Sequence, residues 1–150
     1  MNNPTMNPAS QNQIQKSEAF RDLHQPGNPV ILYNIWDAGT AKVVANSGAK
    51  AIATSSWSIA RSHGFDDGEH IPLDLVMQNL RRIVVSVDLP VTADLESGYG
   101  DTPEHVARCL SLAIEAGAVG CNLEDSLPGS KTLRDTNTQT RRIRAARIGR

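Results

Sequence analysis

Apolar positions are nearly absent from residues 1–13, MNNPTMNPASQNQ, and become periodic only beyond them. Such polar and small side chains cannot bury enough surface to offset the entropy of ordering a chain, so this stretch reads as a disordered tail. An amphipathic helix is predicted over 14–23, closed by the breakers Pro26 and Gly27. After it, short apolar runs alternate with stretches of helical spacing. VILYNIW (30–36) is rich in β-branched and aromatic residues and predicts a strand; DAGTAKVVANSG predicts its helix, with Asp37 placed to cap and Gly48 to stop it. A second strand is predicted over 51–56 (AIATSS), and its helix over 72–87, beyond the polar loop RSHGFDDGEHI. The third unit joins PVTADLES to the helix TPEHVARCLSLAIEAG, where Asp101 or Thr102 caps and Pro103 sits in the first turn. A fourth strand over 118–125 (AVGCNLED) leads through the polar loop SLPGSKTLRDTNTQT into a basic helix, RRIRAAR.

Strands separated by helices of this length pair in parallel through right-handed crossovers, which makes the fold class α/β. Two architectures fit: an open doubly wound sheet and a (β/α)8 barrel, of which four βα units are half. The length of 150 residues suits one domain, here 14–150, although a whole barrel takes about 250 residues.

Charge and composition narrow the partners. Fifteen basic against sixteen acidic residues leave a net charge of −1, which gives no attraction to nucleic acid or an anionic membrane. The late arginines Arg141, Arg142, Arg144, Arg147 and Arg150 then read as a solvated helix face. No apolar run approaches the roughly 20 residues of a membrane span, and no signal-peptide pattern opens the chain, so a soluble cytoplasmic protein is expected. Cys109 and Cys121 lack metal or disulfide spacing and read as small apolar fillers in a reducing compartment. His24, His63, His70 and His105 show no ligand spacing either, and no glycine fingerprint for a nucleotide is present.

The acids carry the candidate chemistry. On a strand, alternation sends Val91, Ala93 and Leu95 to one face and Thr92, Asp94 and Glu96 to the other, with both acids at the carboxyl end, where parallel α/β proteins place their sites. The fourth strand repeats this with Val119, Cys121 and Leu123 against Gly120, Asn122 and Glu124, and the loop after strand two adds Asp66, Asp67 and Glu69. Carboxylates converging on one rim repel unless protons or a cation compensate them, and an all-oxygen set suits a hard ion such as Mg2+. The alternative for each acid taken singly is a loop cap or an ion pair.

Taken together, LYNIWDAGTAKVVANSGAKAIATSSWSIARSHGFDDGE, PVTADLESGYGD and GAVGCNLEDS resemble the isocitrate lyase / phosphoenolpyruvate mutase superfamily, in its phosphonomutase-like and methylisocitrate-lyase-like branch. The resemblance covers residues 18–147 and implies the first half of a (β/α)8 barrel. It implies an enzyme using Mg2+, a lyase or mutase, that makes or breaks a C–C or P–C bond in a small 2-oxo or 2-hydroxy acid through a metal-stabilised enolate. Matched to this sequence, the family's metal-site acids fall on Asp67, Asp94, Glu96 and Glu124, with Asp94 the direct ligand and the others acting mostly through bound water. The substrate-cradling turn falls on Thr54, Ser55 and Ser56. The family also implies a homo-oligomer for the full-length protein. One departure stands out: lyase members carry a Lys-Lys/Arg-Cys-Gly-His motif after strand four, whereas EDSLPGSKTLRD holds neither Cys nor His, and Lys131 offers a charge to that loop's gate. The competing expectation is a catalytically silent half-barrel whose unpaired sheet edges leave it an association role at most.

Overall fold

The computed structural model describes residues 10–130 and 132–148. Lys131, Arg150 and residues 1–9 of the expected tail therefore lie outside the described residues. Residues 10–13 are not a tail: the Ser10 hydroxyl accepts from the Gln13 amide and caps α1 (Gln11–Asp22). Four βα units follow in order, β1 (Tyr33–Ile35) with α2 (Ala38–Asn46), β2 (Ile52–Thr54) with α3 (Ser56–Ser62) and α4 (Leu73–Ser86), β3 (Val91–Asp94) with α5 (Pro103–Glu115), and β4 (Gly120–Asn122) with α6 (Thr136–Ile148). The strands form one parallel sheet in the order β1-β2-β3-β4, the simple progression expected when every crossover has the same hand.

The strands are shorter than the apolar runs that predict them. Val91, Ala93 and Leu95 all turn to the helices and are buried with Ile52, Met77, Leu80, Ile83 and Cys109, as the alternation requires. Burial pushes the Cys109 thiol up to about 12, so it stays protonated. Cys121 is not such a filler. It is exposed on β4, which has one neighbour among the described residues, and α6 packs chiefly on α5 instead of covering it.

Caps set the helix starts. Asp37 and Thr40 form a reciprocal capping box at α2. Thr102, not Asp101, caps α5, while Asp101 pairs with Arg134 at 3.0 Å. Sequence periodicity does not reveal α3, which is only seven residues long and starts where the second strand was expected to continue.

α1 closes the end of the sheet opposite the acids. Gln13 Nε2 donates to the Ile114 and Ala118 carbonyls at 2.8 and 3.0 Å, and Lys16 reaches Asp88 at 3.1 Å, so the helix lies against turns that precede strands. A Cβ on Gly120 would sit 2.8 Å from the Phe20 ring and 3.0 Å from Thr92 Oγ1, so only glycine leaves room for this aromatic plug. Among the described residues no helix is long and apolar enough to cross a membrane.

Candidate functional site

β3 delivers Asp94 to the carboxyl-end rim, and two neighbouring hydroxyl residues, Thr54 and Ser56, hold it there. Asp94 Oδ2 accepts the Ser56 amide at 3.0 Å and the Ser56 hydroxyl at 2.8 Å. Thr54 Oγ1 accepts the Asp94 amide at 2.8 Å, and Ser55 Oγ accepts the Ser58 amide, which caps α3. The expected cradle of Thr54, Ser55 and Ser56 thus adjoins Asp94, with two of its members bonded to that residue.

Glu96 reaches the rim by a different route from the one its spacing suggests. The strand ends at Asp94, and Glu96 adopts a left-handed backbone at φ 49°, so a turn and not strand alternation directs its side chain. Its amide donates to Asp94 Oδ1 at 3.2 Å and its Oε2 accepts the Glu69 amide at 2.8 Å. Backbone pairing continues past the strands: the Glu124 amide donates to the Glu96 carbonyl at 2.7 Å, which sets these residues side by side. Asp67, Glu96 and Glu124 then line one cleft of about 270 Å3, together with Ser97 and the loop over 126–130. Asp66 is excluded from it, being paired with Arg61 at 3.1 Å, and Glu124 Oε2 accepts the Ser126 hydroxyl at 2.7 Å.

The electrostatics single out Glu96. The residue is 6% exposed, and its Oε1 is buried without a hydrogen-bond partner. Burial raises its carboxyl from an ordinary 4.5 to about 7, against the Glu69 amide, which favours the ion, and with help from the negative charges of Asp67 and Glu69. An orphaned carboxylate oxygen of this kind calls for a proton or a cation. Among the described residues no three acidic, His or Cys side chains converge closely enough to hold an ion by themselves. A hard ion such as Mg2+ binds one or two carboxylates directly and keeps several waters, so it does not require such a cluster.

Periodicity does not show what lies beneath the rim. Arg142, expected on a solvated face, is fully buried. It donates to the Gly100 carbonyl at 2.6 Å and to the Ser97 carbonyl, while Arg134 reaches the Ser97 hydroxyl at 3.5 Å and Asp101. Burial and the Arg134 charge lower the Arg142 pKa, while Asp101 and Glu69 oppose that shift. The histidines serve local backbone: Nδ1 of His24, His63 and His70 donates to the carbonyls of Phe20, Ile59 and Asp67 at 2.8, 2.9 and 2.9 Å. A larger groove of about 500 Å3 opens between α4 and α5, lined by Leu73, Arg81, His105 and Arg108 among others, and none of Asp67, Asp94, Glu96 or Glu124 lines it.

Comparison with known proteins identifies the family and the fold. A family profile for phosphoenolpyruvate phosphomutase matches residues 20–149. The 2-methylisocitrate lyase of Escherichia coli (strain K12) is 31% identical over 137 residues, covering 86% of this chain and 46% of the relative. A crystal structure of a protein from Burkholderia cenocepacia J2315, provisionally assigned as a phosphonomutase, is 55% identical and superposes with a TM-score of 0.88 over 90% of this chain and 55% of that one. Phosphonopyruvate hydrolase in complex with oxalate and Mg2+ shares the fold at 23% identity, with a TM-score of 0.83 over 90% of this chain and 48% of that one. The chain spans about half the length of the curated relatives it matches. Its four parallel βα units are those of a TIM-barrel-like fold, and the chain belongs to the phosphoenolpyruvate phosphomutase family, within the isocitrate lyase superfamily.

Proposed function

We propose that these residues carry the metal-binding part of a Mg2+-dependent lyase or mutase acting on a small 2-oxo or 2-hydroxy acid in the cytoplasm. The bond made or broken is a C–C or P–C bond beside the carbonyl carbon. The observation that carries this reading is the cleft shared by Asp67, Glu96 and Glu124, with the orphaned Glu96 Oε1 beside it and Asp94 one hydrogen bond away.

Asp94 would hold the ion directly, and Asp67, Glu96 and Glu124 would hold its waters. When bound, Mg2+ supplies Lewis acidity, which stabilises negative charge developing on the substrate's carbonyl oxygen. The chain's own groups do the orienting. Ser56 donates its amide and hydroxyl to the Asp94 carboxylate with Thr54 and Ser55 beside it, and this hydroxyl-rich turn would orient a substrate carboxylate next to the ion. The loop over 124–135 contains no Cys or His, so a thiol acid or base from that loop has no part in the reading. Membership of the lyase and mutase family and the Mg2+ and oxalate bound by phosphonopyruvate hydrolase support the assignment. Groups outside these residues, and a homo-oligomer, belong to the whole protein.

Thermal unfolding tests it. Mg2+ with oxalate should raise the midpoint of the wild-type chain, and Asp94→Ala should remove the rise. A wild-type midpoint unmoved by saturating Mg2+ and oxalate contradicts the reading.

A further inference from the structure

We propose that Glu69, braced from the opposite side by Arg142, is a positioning residue that fixes where the Glu96 carboxylate points. Glu69 makes three bonds to one short turn: its amide donates to Glu96 Oε2 at 2.8 Å, and its Oε1 accepts the Ser97 hydroxyl at 2.7 Å and the Tyr99 amide at 2.9 Å. It does not line the cleft that Asp67, Glu96 and Glu124 line, so it acts through Glu96 and not on a ligand.

The turn needs such support. Glu96, Gly98, Tyr99 and Gly100 all have positive φ, at 49°, 98°, 56° and 145°, and Glu69 itself lies at 64°. Non-glycine residues in this region cost roughly 1–3 kcal/mol each and persist only where surrounding contacts over-determine them. Here the contacts come from two sides. Glu69 binds the turn's amide and hydroxyl donors, and the buried Arg142 guanidinium binds the carbonyls of Ser97 and Gly100. The opposite charges of Glu69 and Arg142 attract each other across it. On this proposal, removing either side frees the turn to relax from these conformations and lets the Glu96 carboxylate turn away from the rim.

Two measurements on the 150-residue chain test this, and the second rests on the Mg2+ reading above. In metal-free protein, hydrogen exchange of the amides over 96–100 should quicken ~10-fold or more in Glu69→Ala, with those over 91–93 unchanged. Glu69→Gln keeps an acceptor oxygen and should stay within about threefold of wild type. Should Glu69→Ala fail to fold, Ser97→Ala removes one donor to the same oxygen and should show a smaller rise. In calorimetric titration with MgCl2 alone, Glu69→Ala should weaken binding ~10-fold or more and Glu69→Gln little. Unchanged exchange in Glu69→Ala overturns the proposal; so does a Glu69→Gln that loses Mg2+ as badly as Glu69→Ala, since Glu69 would then act as a charge facing the ion. If the wild type binds no Mg2+, the metal reading falls, and the exchange experiment still decides the role of Glu69.

Discussion

A carboxylate oxygen buried without a donor makes stability depend on pH, and Glu96 gives the sign of that dependence. Its pKa is about 7 when folded against an ordinary 4.5, so between those values the native state holds a proton that the unfolded state has lost. Stability therefore falls as pH rises through this window, is free of the penalty below it, and carries the full penalty above it. Glu96→Gln should flatten this slope: its thermal midpoint should exceed that of wild type at about pH 8 and match it near pH 4.5. Equal midpoints at both pH values would show that the Glu96 carboxyl is not strained by burial. The acids themselves were visible in the sequence from their place at the carboxyl ends of parallel strands, but each taken singly could as well have been a loop cap or an ion pair, as Asp66 is. Glu69 was visible only as one acid among several. Its bonds to the 96–99 turn span 27 to 30 residues, and no local pattern carries such a contact. Arg142 was misread for a related reason. A helix whose exposed side is basic looks solvated throughout, and only the packing of α6 shows one guanidinium sunk onto two carbonyls.

At the level of elements, periodicity served wherever the backbone stays regular. It placed β3 with Val91, Ala93 and Leu95 toward the helices, and the cap of α2 was evident from Asp37, whereas at α5 the sequence left Asp101 and Thr102 open and Thr102 takes the role. It failed where the chain leaves the ladder. The turn after Asp94 replaces strand alternation by left-handed conformations, and α3 begins at Ser56 on a serine cap that reads equally well as a loop. The 96–100 turn is also where glycine is indispensable. A Cβ on Gly100 would come within 2.5 Å of the His105 ring at a φ of 145°. Gly100→Ala should accordingly cost at least about 2 kcal/mol in urea unfolding. A cost under about 0.5 kcal/mol would mean that the turn relaxes freely and is not held as described.

At the scale of the molecule, the described residues form a four-stranded parallel sheet packed against helices, with one plug helix at the amino end of the strands and a carboxylate rim at the other. β1 and β4 each have one neighbour among the described residues, and Tyr33 and Cys121 on them are exposed. Unpaired edges of this kind recruit further strands. The 150-residue chain alone should therefore associate with rising concentration in sedimentation velocity; a monomer throughout would show that the edges are protected. Association without any metal response would instead favour the silent half-barrel. The measurement that bears most directly on function uses Mn2+ as a paramagnetic substitute for Mg2+ in an NMR titration of amide signals. Signals of Ser56, Asp67, Asp94 to Ser97 and Glu124 should broaden first, and Asp94→Ala should abolish the effect. Broadening confined to exposed acids elsewhere, such as Asp88 and Glu115, would contradict a metal centre at this rim.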